Sequence, residues 1–165
     1  MIRDYGINRR IFRDRNGEIS KRCDIFLRGY NAMMNEICGW MGSVQMDHIE
    51  KLLEKQWRHA VVFDAVLKNS KTLSTIKRRK QTQPSFWVYS MLSKNKLSFM
   101  RECRRRGITV SNVHLRNDFY TIFGEKTRSH LKGVNDFSKR QVNIPSGWWL
   151  TKPNEKIIID LLSNA

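Results

Sequence analysis

Between Asp47 and Lys68 apolar side chains recur at intervals of three and four: Ile49, Leu52, Leu53, Trp57, Ala60, Phe63 and Leu67. That spacing is one stripe of an α-helix, and a stripe this continuous has to be covered by other elements. Asp47 is placed to cap the first turn, and Glu50 stands three positions further on, as a reciprocal cap requires.

Weaker periodicities surround it. Residues 25–41 read as a helix capped by Asp24, with Phe26, Tyr30, Met33, Met34, Ile37 and Met41 on one face. A third helix is predicted from Ser85 to Arg106, through Phe86, Tyr89, Leu92, Phe99, Met100 and Cys103, closed by Gly107. A fourth runs from Ser111 or Asn112 through Leu115, Phe119 and Ile122 to Gly124, and a last one over 153–163 through Ile157, Ile158, Leu161 and Leu162. Asn16-Gly17 is the dipeptide a type I′ turn favours, so residues 6–23 read as a β-hairpin. Residues 69–83 read as a polar loop ending at Pro84, and residues 124–147 as turns with one short helix near Thr127 to Lys132. Of Trp148 and Trp149, one is expected in the core and the other at the surface, where it could stack on a base or anchor a protein.

Together these predict a mainly α fold with some β structure: a compact single-domain bundle of four to six helices with an N-terminal β-hairpin. The expected organisation is a basic arm over residues 1–23 and a helical nucleic-acid-binding domain over 24–165. An apolar content of 40% in 165 residues is enough for one core. No apolar run is long enough to span a bilayer, so no membrane partner is expected. Cys23, Cys38 and Cys103 are widely spaced without CxxC pairs, which suggests reduced thiols and a cytoplasmic protein, or one in host cytoplasm or nucleoid if viral.

Charge suggests a partner. The chain has 31 Lys and Arg against 15 Asp and Glu, a net +16. Residues 68–107 contain twelve of the cations and one carboxylate, Glu102, whereas residues 23–67 are mildly acidic. So concentrated a field, with so few local counter-charges, points to a polyanion. The expected phosphate contacts are Lys77, Arg78, Arg79, Lys80, Lys94, Lys96, Arg104, Arg105 and Arg106, with Arg9, Arg10, Arg13 and Arg15 of the hairpin as a second set. Gly107 and the short turn after it outline a helix-turn-helix, whose second helix would present His114, Arg116, Asn117 and Tyr120 to base edges. The expected function is non-catalytic binding of nucleic acid, double-stranded DNA over RNA, in a regulatory or accessory role such as transcription regulation.

Catalytic signatures are sparse. There is no GxxxxGK[ST], GxGxxG, GxSxG or HExxH, and no cofactor is expected. The sequence leans away from an enzyme. The alternatives are an adaptor on a nucleic-acid machine such as RNA polymerase or a replisome, and a metal-dependent nuclease using Asp47, Asp64, Asp118 and Asp136 brought together by folding. No metal site is read from the sequence itself.

Overall fold

The computed structural model describes residues 4–15, 19–20, 23–113, 115–120 and 130–165. The chain divides into two compact units, Met1–His48 and Ile49–Ala165.

In the first unit the backbone is held by single pairings. Asp4 pairs with Asn31 and Arg13 with Ile19, both antiparallel, and the Ser20 N–H donates to the Phe12 carbonyl at 2.9 Å. Of the predicted hairpin the described residues show the Arg13–Ile19 bridge, and its Asn16-Gly17 turn lies outside them. Gly6 stands at φ +81°, so close under the Leu27 carbonyl that a Cβ would collide with it. Glycine alone meets both conditions.

No helix begins at Asp24. Residues 24–35 are non-helical, and helix α1 (Glu36–Leu67, 32 residues) starts behind Asn35, whose Oδ1 accepts from the Cys38 N–H at 2.8 Å. α1 takes up both the end of the predicted 25–41 segment and the whole Asp47 stripe. Gly42 and Ser43, which lie between the two predicted segments, are helical. An interior glycine costs only about 1 kcal/mol, less than breaking the backbone ladder on both sides of it.

The second unit is built on a three-stranded antiparallel sheet, β1 (Leu73–Thr75), β2 (Val88–Ser93) and β3 (Gln141–Pro145), in the order β1-β2-β3. Leu73 lies opposite Ser93, Met91 opposite Val142 and Val88 opposite Pro145. In β2, Tyr89, Met91 and Ser93 are buried while Val88, Ser90 and Leu92 are half-buried, the period-two signature of a strand. Gln141 to Ile144 of β3 are all buried. Asn143 exchanges backbone hydrogen bonds with Ser111, and its side-chain amide donates to the Val113 carbonyl at 2.8 Å. The core joins Ala60, Phe63 and Leu67 of α1 to Tyr89, Met91, Val142 and Ile144 of the sheet. Phe99 and Cys103 of α2 (Lys96–Arg105) and Ile158 and Leu162 of α4 (Lys152–Ser163) complete it.

The fold is therefore a sheet with helices, not a helical bundle. The predicted Ser85–Arg106 helix is two elements, because Phe86, Tyr89 and Leu92 sit at helical spacing while the residues between them alternate as a strand. Its end was legible: Gly107 has φ +76°. Residues 124–147, read as turns with one short helix near Thr127 to Lys132, contain α3 (Lys132–Arg140) and β3, and the start of that predicted helix, 127–129, lies outside the described residues. Between Ser111 and Tyr120 the described residues form only a 3-10 turn, Asn117–Phe119. α4 lies where its apolar stripe predicts, with Thr151 Oγ1 accepting from the Asn154 N–H. No helix among the described residues is long and apolar enough to cross a membrane.

Candidate functional site

The segment Pro84–Trp87 enters β2 through a strained residue. Phe86 has φ +52°, a region that costs a non-glycine residue on the order of 1–3 kcal/mol and persists only where the surroundings over-determine it. Three donors supply that determination on three successive carbonyls. Trp57 Nε1 donates to Pro84 O at 2.7 Å, Gln56 Nε2 to Ser85 O at 2.7 Å, and Ser146 Oγ to Phe86 O at 2.6 Å. Gln56 and Trp57 are adjacent on α1, so one helix turn holds two of the three. Ser146, just beyond β3, is fully buried.

Beside the pinned segment lies an aromatic and ionic cluster. Arg78 reaches back to Asp64 of α1 through both terminal nitrogens, at 2.5 and 2.9 Å, the bidentate geometry of guanidinium on carboxylate. Tyr89 donates its hydroxyl to the same Asp64 at 2.5 Å. The Arg78 guanidinium also lies 4.6 Å from the Phe86 ring centroid, a cation–π contact. Phe63 meets Tyr89 edge-on at 5.3 Å, and His59 stacks on Phe63 at 6.4 Å. Burial, and then the hydrogen bond to Asp64, push the Tyr89 phenol up from its ordinary value. The bond to Asp64 raises the Arg78 guanidinium in turn. At neutral pH Asp64 thus holds one cation and one neutral phenol.

His59 links this cluster to the next cavity. Its Nδ1 faces the Ser146 carbonyl at 3.1 Å, which places the ring proton there, and its Nε2 lies 3.8 Å from Glu155. Lys55, Arg58, Trp148 and Lys152 line the rest of that hollow, of about 380 Å³. Trp148 and Trp149 are both about half exposed, so neither is the core residue expected of the pair.

Several of the cations singled out in the sequence are held in ion pairs. Arg78 is paired with Asp64, Arg105 with Glu102, Arg106 with Asp160, and Arg9 with Asp4. Lys96 donates to Asn112 Oδ1 at 2.7 Å and to the Ser138 carbonyl at 2.8 Å, and burial lowers its ammonium from the ordinary value. Lys77, Arg79, Lys80, Lys94 and Arg104 are exposed, as are Arg10, Arg13 and Arg15 in the first unit. Arg116 binds both oxygens of Asp118 at 2.6 Å, and Asn117 sits in the 3-10 turn rather than on a recognition helix. His114 lies outside the described residues. Two cations of the block 68–107, Arg78 and Arg106, pair with carboxylates that lie outside it, Asp64 and Asp160.

The nuclease alternative fails on the same pairings. Asp64, Asp118 and Asp136 each hold an arginine, Arg78, Arg116 and Arg140. No group of three or more His, Cys, Asp or Glu among the described residues could hold a metal ion. Sequence reasoning missed Gln56, Trp57, Phe86, Tyr89 and Ser146 as a unit. The available signal was the alternation of Tyr89, Met91 and Ser93, which marks a strand entering beside Pro84.

The family model of DegT/DnrJ/EryC1/StrS aminotransferases matches residues 1–163. The sugar aminotransferase CalS13 from Micromonospora echinospora superposes with a TM-score of 0.80 at 28% identity, over 99% of this chain and 43% of that one. AtS13 from Actinomadura melliaura gives 0.80 at 23% identity, over 99% and 42%. A Streptococcus pneumoniae structure in a PLP form gives 0.75 at 16%, over 99% and 41%. The chain thus spans less than half the length of the solved structures it matches. No curated protein matches by sequence. These likenesses overturn the DNA-binding and transcription-regulation reading, its nucleic-acid partner and the adaptor variant of it: the fold is shared with aminotransferases.

Proposed function

Because the chain belongs to the DegT/DnrJ/EryC1/StrS aminotransferase family, we propose that it serves amino transfer to a sugar, contributing the part of the enzyme that binds and positions rather than the part that holds the cofactor. The observation that carries this is the 28% identity to a sugar aminotransferase sustained over 99% of the chain.

Aminotransferases work through pyridoxal phosphate, held as a Schiff base on a lysine with a charged partner at the ring nitrogen. The described residues do not fit that group. Lys96, the desolvated lysine, is committed to Asn112 and Ser138, with no carboxylate among its hydrogen-bond partners. Lys55 and Lys152 share a cavity with a carboxylate, Glu155, but both are exposed, and Glu155 faces His59. The chain's own contribution lies in the pinned segment Pro84–Trp87 and the Asp64–Arg78–Tyr89 cluster, which form a pre-organised wall of the kind substrate positioning requires.

The test is amino transfer by the protein purified with its native associates, supplied with PLP, glutamate and a panel of keto sugars. Formation of amino sugar, lost when this protein is depleted, is the expected result. A PLP-replete preparation that aminates no member of the panel overturns the proposal.

A further inference from the structure

The hollow beside His59 gathers more positive charge than its own carboxylate offsets. Lys55, Arg58, His59 and Val62 stand at steps of three, four and seven along α1, which puts them on one face of the helix. Lys152 and Glu155 reach the same space of about 380 Å³ from the first turn of α4. Its lining thus carries three permanent cations against one carboxylate. That carboxylate is turned to His59, with 3.8 Å between Glu155 Oε1 and the ring Nε2, and no ion pair among the described residues engages Lys55, Arg58 or Lys152. Elsewhere in the same unit Arg78, Arg106, Arg116 and Arg140 each hold a carboxylate.

Like charges one helical turn apart repel, and Lys55 and Arg58 stand in that relation, with Lys152 added from α4. An anion between them removes the repulsion, and the amino-terminal end of α4 adds its partial positive charge to the attraction. One side chain of the lining is fixed. The His59 ring is held by the Ser146 carbonyl at Nδ1, 3.1 Å away, and stacks on Phe63, so its Nε2 edge faces the hollow. The lysines need reach rather than a fixed direction, because an ammonium acts as a point charge on a flexible stem. Arg58 adds a planar fork that meets two oxygens of a tetrahedral oxyanion at once. Three cations less one carboxylate leave a surplus of two, which matches a dianion better than a chloride.

We infer that the hollow between α1 and the first turn of α4 binds a small multivalent inorganic oxyanion, phosphate or pyrophosphate, held by Lys55, Arg58 and Lys152 and backed by His59. The site stands on the charges and the cavity alone and does not depend on the aminotransferase reading.

The test is calorimetric titration of the full chain with inorganic phosphate and, separately, with pyrophosphate. Sodium chloride holds the ionic strength constant, so that screening is the same throughout. The ring resonances of His59, assigned by His59→Gln, report where the anion sits. One saturable site with a Kd in or below the millimolar range is expected, with the His59 signals moving as it fills, and the tighter of the two anions is the ligand. Changing Lys55, Arg58 and Lys152 together to Ala should weaken binding by at least about tenfold, the equivalent of 1.4 kcal/mol. All three are exposed, so the variant should keep the circular dichroism of the parent. Changing Lys77, Arg79 and Lys80 to Ala removes the same charge elsewhere and should leave Kd within about twofold. Glu155→Gln removes the one opposing charge and should tighten binding by about twofold or more. Equal losses in the two triple variants would mean diffuse attraction to a basic chain and overturn the inference. So would the absence of saturable binding, weaker binding in Glu155→Gln, or binding that leaves His59 unmoved.

Discussion

Asp64 accepts from Arg78 and Tyr89 at once, through a bidentate pair at 2.5 and 2.9 Å and a hydroxyl at 2.5 Å. One carboxylate on α1 thereby fixes a loop residue and a central strand residue. Asp64→Asn keeps the shape and removes the charge, leaving the part-buried guanidinium without its ion. Unfolding in urea should show a loss of about 1–3 kcal/mol, whereas Tyr89→Phe should cost about 1 kcal/mol. Equal stability of Asp64→Asn and the parent would show that the pair contributes nothing.

The four adjacent cations at 77–80 should separate experimentally. Lys77, Arg79 and Lys80 are exposed, and replacing all three with Ala should leave stability within about 0.5 kcal/mol of the parent. Arg78→Ala alone should exceed that loss, since it strands Asp64 and uncovers the Phe86 ring. Thermal melts of the two variants make the comparison, and a larger loss in the triple variant contradicts it.

Cys103 is buried in the core, and desolvation first, then the neighbouring Glu102 charge, push its thiol up to about 11. A group raised in the folded state stabilises the fold fully below its unfolded value of about 8.5 and loses that contribution as pH climbs through the folded value. Stability should therefore fall between about pH 8.5 and 11, by at most about 1.4 kcal/mol per pH unit from this one group. Cys103→Ala should flatten the slope in that window, read from urea midpoints. Alkylation at pH 8 should modify the exposed Cys38 first and leave Cys103 intact in the folded protein.

Gly107 and Gly147 should respond differently to alanine. Gly107 stands at φ +76° in open space, so Gly107→Ala adds backbone strain of about 1 kcal/mol, and Gly107→Asn should recover part of it. At Gly147 a Cβ would run into the Trp149 indole, whose half-exposed ring is able to swing aside. Gly147→Ala should change tryptophan emission more than stability. Chemical denaturation followed by fluorescence and by circular dichroism separates the two effects.

The sequence carried some of this structure openly. The stripe from Ile49 to Leu67 and the one from Ile157 to Leu162 are helical because each buries its own periodic face, and Gly107 ends a helix for the reason its φ shows. β2 was hidden because Phe86, Tyr89 and Leu92 satisfy a three-residue spacing by coincidence, while its true alternation spans only six residues. β3 gave no alternation at all, since Gln141 and Asn143 are buried with Val142 and Ile144 and spend their amides on Val113. The pairing of the cations was hidden for a related reason. A local count of charge finds no partners for Arg78 or Arg106, and only folding supplies Asp64 and Asp160.

The sheet order has a consequence for how the chain assembles. β1 and β2 are near in sequence and can pair early, but β2 finds β3 only after a long loop has closed, with Val88 meeting Pro145. Until then β2 presents one bare edge with Tyr89 and Met91 uncovered. During synthesis that edge waits for Val142 and Ile144 to emerge, and this interval is when neighbouring nascent chains are most able to pair with it in their place. Mutations that slow the docking of β3 should therefore reduce soluble yield more than they reduce the stability of the protein that does fold.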